Sequence, residues 1–265
     1  MAIDEKMINQ EMYTVMTNSD TGKIAMLAET MESKELEPLL KKLNAAPIIK
    51  NITGDLSPMY ESLCKKALPE TKMTADKFHV VSHSLDMLQD IRIRYKHEEI
   101  AKMPKKKKER ELYEQNTMVE NGETRRELLS KSRYLLYKRK YEWSQSQQNR
   151  AQLLFKYYPE LETAYELVSK VRTWYNHKTT NTPFLQIERK LYEWYEMVEK
   201  EKILEMNNLV KTFIRHEENI LNYFQSNKTN AIAEAVNGKI QRFISFNYGV
   251  RDKDFFLFRI AKYYS

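Results

Sequence analysis

The chain has 265 residues, 42% of them hydrophobic, enough for one large packed core or two ordinary ones. With 31% charged residues but only five Gly and seven Pro, it favours helix over a turn-rich β architecture. The 44 basic and 37 acidic residues leave +7, a basic excess that fits a polyanionic partner or ordinary surface solvation, and no apolar run nears the ~18 residues needed to span a bilayer.

The N-terminus is charged at once and lacks a signal-peptide core, so the expectation is a soluble, cytoplasmic protein with no membrane association. Residues 2–5 read as a first strand, carrying Asp4. Residues 11–17 alternate Met12, Thr14 and Met16 against Tyr13 and Val15, a second strand. Asn18 to Gly22 are turn residues, and 23–29 a third strand. Residues 32–43 form a helix with Leu36, Leu39, Leu40 and Leu43 on one face. Ile48, Ile49 and Ile52 lead a fourth strand into Gly54 and Asp55. Ser57 then caps a helix with Pro58 at its first position, and Met59, Leu63 and Leu68 on its buried side. The single cysteine, Cys64, lies in this helix and excludes a disulfide framework or a cysteine zinc site. Pro69 ends the helix, and residues 72–81 read as a fifth strand. Asp55 thus sits where a strand gives way to a helix, the position at which open α/β sheets bind ligands. Taken alone, the same residues also read as a turn or cap.

Beyond residue 82 the pattern turns helical. Residues 82–103 place Leu85, Leu88, Ile91 and Tyr95 at helical spacing, and Pro104 with Lys105 to Lys108 breaks the run, as solvated loop or as a phosphate contact. Residues 109–141, 146–158 and 160–177 read as further helices. Lys138-Arg139-Lys140-Tyr141 among them is the better nucleic-acid candidate. Residues 185–224 read as one long amphipathic helix whose aromatics, Trp194 and Phe213 included, pack a core. After a polar break at 225–229, the helix over 230–243 sets Asn230, Glu234, Asn237 and Gln241 on one face and Ile232, Val236, Ile240 and Phe243 on the other. A lone carboxylate flanked by amides suits a site that holds a metal, a phosphate or water, and a wet surface face reads the same way. Residues 247–249 form a turn and 255–263 a last amphipathic helix.

Phosphodiester chemistry uses two divalent cations about 3.5–4 Å apart, held by hard oxygen ligands from rigid elements. Asp4, Asp55 and Glu234 are the acids whose placement fits. The blocks around them carry a resemblance: Ile3-Asp4-Glu5, Gly54-Asp55-Leu-Ser-Pro-Met-Tyr60, Ala75-Asp76-Lys-Phe-His79-Val-Val, Asn230-x-x-x-Glu234-x-x-Asn237-x-Lys-Ile240, Tyr248-Gly-Val-Arg-Asp252 and Phe255-x-x-Phe-Arg-Ile260. In this order they resemble the catalytic part of bacterial insertion-sequence transposases of the DDE type. The resemblance implies an α/β fold: an RNase H-like mixed sheet core over 1–84 and 226–265, with an all-α insertion over 85–225 before the Glu-bearing helix. It implies Asp4, Asp55 and Glu234 as catalytic metal ligands, two Mg2+ or Mn2+ ions as cofactors, DNA as substrate, and a homo-oligomer on that DNA. Asp76 and His79 match the family's block without an assigned role, and Glu5 is expected on the sheet's opposite face. Transposases of this kind usually carry an upstream DNA-recognition part, so recognition of transposon ends is expected to lie mainly in another chain or domain. A basic helical DNA-binding or interaction module, or an inactive transposase remnant, stands as the alternative.

Overall fold

The computed structural model describes residues 1–8, 11–45, 48–226, 231–247 and 252–264, without the side chains of residues 226, 231–234 and 253. Asn230 of the expected polar face, and Tyr248 and Gly249 of the expected turn, lie outside the described residues. The chain packs as two units, one of Met1–Val80 with His216–Ser265 and the other of Val81–Arg215.

The first unit is built on a five-stranded mixed sheet. Its strands are β1 (Ala2–Ile8), β2 (Glu11–Asn18), β3 (Lys23–Ala28), β4 (Asn51–Gly54) and β5 (Lys72–Ala75), in the spatial order β3-β2-β1-β4-β5. β1 to β3 pair antiparallel as consecutive hairpins. In the second turn Asn18 Oδ1 accepts the N–H groups of Asp20 and Thr21, and Gly22 takes φ 71°, where a side chain would be strained. β4 and β5 join in parallel, after the crossover helices α1 (Ser33–Leu43) and α2 (Pro58–Ala67). The element order matches the sequence reading through α2.

Strand alternation sorts the side chains into two layers. Ile3, Met16, Ile52 and Met73 face α1 and α2, burying Leu36, Leu40, Tyr60 and Leu63. Ile8, Tyr13, Val15 and Ile24 face a second apolar cluster whose helical members are Val236, Ile240, Phe256 and Ile260. Cys64 is buried in the first layer, and burial pushes its thiol up to about 11.

The strand expected over residues 72–81 ends after four residues. Asp76 turns the chain: its Oδ1 accepts Phe78 N–H at 3.4 Å and its carbonyl accepts Val80 N–H at 3.1 Å. Lys77 therefore opens α3 (Lys77–Ala101). The β-branched and aromatic residues after Asp76 carry strand propensity, and the helix start overrides it.

The second unit is all-helical, with the rest of α3 followed by α4 (Lys107–Asn116), α5 (Arg125–Lys131), α6 (Arg133–Tyr137), α7 (Gln145–Tyr157), α8 (Pro159–Trp174), α9 (Phe184–Glu201) and α10 (Leu204–Arg215). The helix read over 109–141 is broken between α4 and α5, where Gly122 takes φ 78°. The helix read over 185–224 is three: Lys202, at φ 57°, stops α9, and α10 ends at Arg215.

In the first unit, α11 (Glu217–Ser226) packs along β5, with Asn222 Nδ2 donating to the Met73 carbonyl at 2.8 Å, which covers an edge strand. The sequence reading assigned these residues to the insertion over 85–225. His216, 3% exposed, sets Nδ1 2.9 Å from Glu61 of α2. α12 (Ala231–Phe246) and α13 (Lys253–Tyr264) complete the unit. Among the described residues no helix is long and apolar enough to cross a membrane.

Candidate active site

Asp4 stands in the middle of β1. Its neighbours Ile3 and Glu5 face α1 and α2: Ile3 is in that core, and Tyr60 of α2 donates its hydroxyl to Glu5 Oε1 at 3.1 Å. Burial, and then the Glu5 carboxylate, push the Tyr60 phenol far above its ordinary value, so it stays a donor. Alternation puts Asp4 on the opposite face. There Oδ2 accepts the side-chain amide of Asn237 on α12 at 2.6 Å, while Oδ1 accepts the Glu5 backbone N–H at 2.8 Å.

β4 runs parallel to β1, with Ala2 opposite Thr53. Asp4 and Asp55 each come two residues later, so they stand at the same level on neighbouring chains, which in a sheet lie ~4.8 Å apart. Gly54 permits this approach. A Cβ built there would lie 3.0 Å from Ile3 Cγ2, on the α1–α2 side. The Asp55 carboxylate opens α2: its Oδ1 accepts Ser57 N–H at 3.0 Å. Ser57 is the N-cap by position, but its hydroxyl makes no cap bond, so the cap expected of Ser57 is supplied in part by Asp55. Oδ2 of Asp55 has no partner among the described residues.

The next strand repeats the pattern. Gly54 pairs with Ala75, so Asp76 stands beside Asp55, and its N–H donates to the Gly54 carbonyl at 2.7 Å. Asp76 is 3% exposed, and His79 Nε2 lies 3.8 Å from its Oδ2. Three aspartates thus follow one another across neighbouring strands, Asp4 within β1 and Asp55 and Asp76 just past the C-terminal ends of β4 and β5. The sequence reading gave Asp76 no role. The signal was present in the repeated Gly-Asp and Ala-Asp strand endings, each before a helix.

Glu234 lies within α12, three residues before Asn237, and helix geometry sets positions 234 and 237 on one face. The side chain of Glu234 is outside the described residues, so of the expected acids the structure brings together Asp4 and Asp55. Gln241, further along the expected polar face, is exposed. The face is not simply wet, because Asn237 touches Asp4 and its Oδ1 is a buried acceptor with no partner among the described residues.

Among the described residues no group of three or more His, Cys, Asp or Glu side chains is placed to hold a metal ion. The donors that are described nevertheless fit a hard cation. Asp4 and Asp55 are held by neutral N–H donors only, and neither has a basic side chain within ion-pair distance among the described residues. Other half-buried acids of the chain are neutralised by the protein itself, as Glu61 is by Lys65, Glu123 by Arg150 and Glu205 by Arg94. The buried Asn237 oxygen adds one more hard acceptor at the same place.

The family DDE_Tnp_ISL3, described as Transposase, matches residues 1–260. No curated protein and no solved structure matches the chain significantly.

Proposed function

Since the chain belongs to the transposase family DDE_Tnp_ISL3, whose function is DNA transposition, we propose that it cleaves and joins DNA strands at a site made by Asp4, Asp55 and Glu234. The observation that carries this reading is the level placement of Asp4, within β1, and Asp55, just past the end of the parallel strand β4, with α12 tied to the first of them. We read the first unit as an RNase H-like core on the same grounds: three antiparallel strands, two parallel crossovers, and a helix from the far end of the chain returning to β1.

Asp4, Asp55 and Glu234 would hold two Mg2+ or Mn2+ ions, which stabilise charge on the attacking and leaving oxygens of an in-line displacement at phosphorus. The chain's own part is positioning. Asn237 and the Glu5 N–H fix both oxygens of Asp4, so its carboxylate has one orientation. The Ser57 N–H holds one oxygen of Asp55 and leaves the other for a ligand. Glu5 is committed to Tyr60 on the opposite face and takes no part. Strands and helices carry or immediately flank these groups, which suits a displacement sensitive to alignment on the ångström scale.

The test is Mg2+-dependent nicking of a duplex bearing the transposon end, by the whole chain and by Asp4→Asn, Asp55→Asn and Glu234→Gln. Each variant should keep its fold and fall to the level without metal. Nicking by Asp55→Asn at the unaltered rate would overturn the assignment. An inactive but folded parent chain would point to the catalytically dead remnant.

A further inference from the structure

The helical unit holds a second concentration of uncompensated charge, of opposite sign. The segment after α6 is pinned against α8: Tyr165 donates its hydroxyl to the Lys138 carbonyl at 2.8 Å, and Trp143 donates to the Leu135 carbonyl at 2.9 Å while its ring lies 5.4 Å from that of Tyr165. This packing, not any attraction between charges, brings Arg139 and Lys140 to Lys170 and Arg172 of α8. Together with Tyr141 and Glu166 they line a cavity of about 450 Å³.

The charges do not balance. Glu166 pairs with Lys140 at 3.2 Å in an exposed contact, the kind worth little. Glu142 is engaged at its carboxylate by the Arg139 backbone N–H. Arg172 is half-buried, and neither it nor Lys170 has an ion-pair or hydrogen-bond partner among the described residues. Burial, and then the Arg139 charge beside it, hold the Arg172 guanidinium below its usual range. The Glu142 charge opposes this only in part, so folding sets two guanidiniums near each other with incomplete compensation, at a cost that an incoming anion would remove. Guanidinium forks match phosphate oxygens in pairs, and Lys170 adds a point charge.

We propose that this cavity between α8 and the segment after α6 binds a backbone phosphate of DNA, with Arg139, Lys170 and Arg172 as its ligands. The proposal rests on DNA as the partner of the family and not on the catalytic acids. A contact of this kind positions DNA and reads no sequence.

The test is the salt dependence of duplex binding by the whole chain. Arg139→Gln, Lys170→Gln and Arg172→Gln are compared with Lys41→Gln, a control with the same charge change on α1. One phosphate contact contributes about 0.9 to the slope of log binding constant against log salt. Each pocket variant should lower the slope by up to that amount, equally on transposon-end and unrelated duplexes, while Lys41→Gln leaves it unchanged. Arg172→Gln should melt no lower than the parent, because it removes a like-charge contact; a purely structural arginine would give the reverse. Should Arg172→Gln fail to fold, the other two variants carry the same test. Unchanged slopes in all three overturn the proposal, as does a loss confined to the transposon-end duplex. Loss of stabilisation by inorganic phosphate with an unaltered DNA slope also overturns it, and assigns the cavity to a free anion. Asp55→Asn separates the two readings, since it should lose nicking yet bind DNA with the parental slope.

Discussion

Gly54→Ala isolates the contact on which the Asp4–Asp55 pairing depends. The added methyl would sit 3.0 Å from Ile3 Cγ2, against the ~3.5–4.0 Å of a comfortable carbon contact, so β4 and β1 must part by about 0.5–1 Å or Ile3 must turn. Ile3 is 1% exposed and β-branched, which leaves it little room. Overpacking of this order costs about 1–3 kcal/mol. Replacing Gly by Ala within a strand returns about 0.5–1 kcal/mol of backbone entropy. The net expectation is a loss of roughly 0.5–2 kcal/mol. The unit-specific readout is native-state hydrogen exchange at Thr53, whose N–H bonds the Met1 carbonyl across the same seam. In an Ile3→Ala background the obstructing methyl is gone, so Gly54→Ala should there be neutral or stabilising. If it destabilises equally in both backgrounds, the close approach is not the reason for glycine. Nicking should fall further than stability, because Asp55 is the next residue and a displacement near 1 Å costs on the order of 100-fold.

Four further outcomes are expected. Asn237→Ala should leave the chain folded, lower nicking about 10–100-fold and raise the Mg2+ concentration needed for half-maximal activity, since it frees Asp4 Oδ2 from its amide. His216→Ala should weaken the first unit by about 1–3 kcal/mol in urea titration, having stripped Glu61 of a buried partner. Burial would raise Glu61, but the hydrogen bond and charge of Lys65, joined by His216, hold it below the usual 4.5. Its stabilisation is therefore present above pH 4.5 and lost as pH falls through the lowered value, so the gap between the parent and Glu61→Gln should close on acidification. Cys64, with its thiol pushed up to about 11 by burial, should resist a thiol reagent at pH 8 until the chain is unfolded, and rapid labelling of native protein would contradict that.

The sequence carried most of the sheet because its signals were local. Alternation in 11–17, the Asn18–Gly22 turn and Pro58 at a helix start each act within a few residues. The failures have physical causes. Val80 and Val81 favour a strand, yet the Asp76 turn commits them to α3. The apolar stripe of α9 resumes in register in α10, so periodicity runs through a break made by Lys202, a residue with no special liking for the left-handed region. The bond from Asn237 to Asp4 joins residues 233 positions apart, and no local pattern encodes it. Only the family resemblance set Asp4 and the Glu234 helix in one frame. The level stacking of Asp55 and Asp76 follows from strand register, which the sequence left open.

Charge placement separates the acids paired with bases inside the protein from those held by neutral donors alone. Arg94 draws Glu160 and Glu205 together, and Arg150 and Lys131 converge on Glu123; acids of this kind are neutralised inside the protein. Asp4 and Asp55, side by side, receive amides alone, and a pair of neighbouring carboxylates without a counter-ion is unfavourable in the folded state. Amide donors orient a carboxylate without cancelling its charge. Arg139 and Arg172 repeat the arrangement with the sign reversed, in a segment pinned by Tyr165 and Trp143 and only partly compensated by Glu142. On the proposed reading both deficits serve a ligand, a metal at one place and a polyanion at the other, and removing either charge pair should stabilise the free protein while weakening that binding.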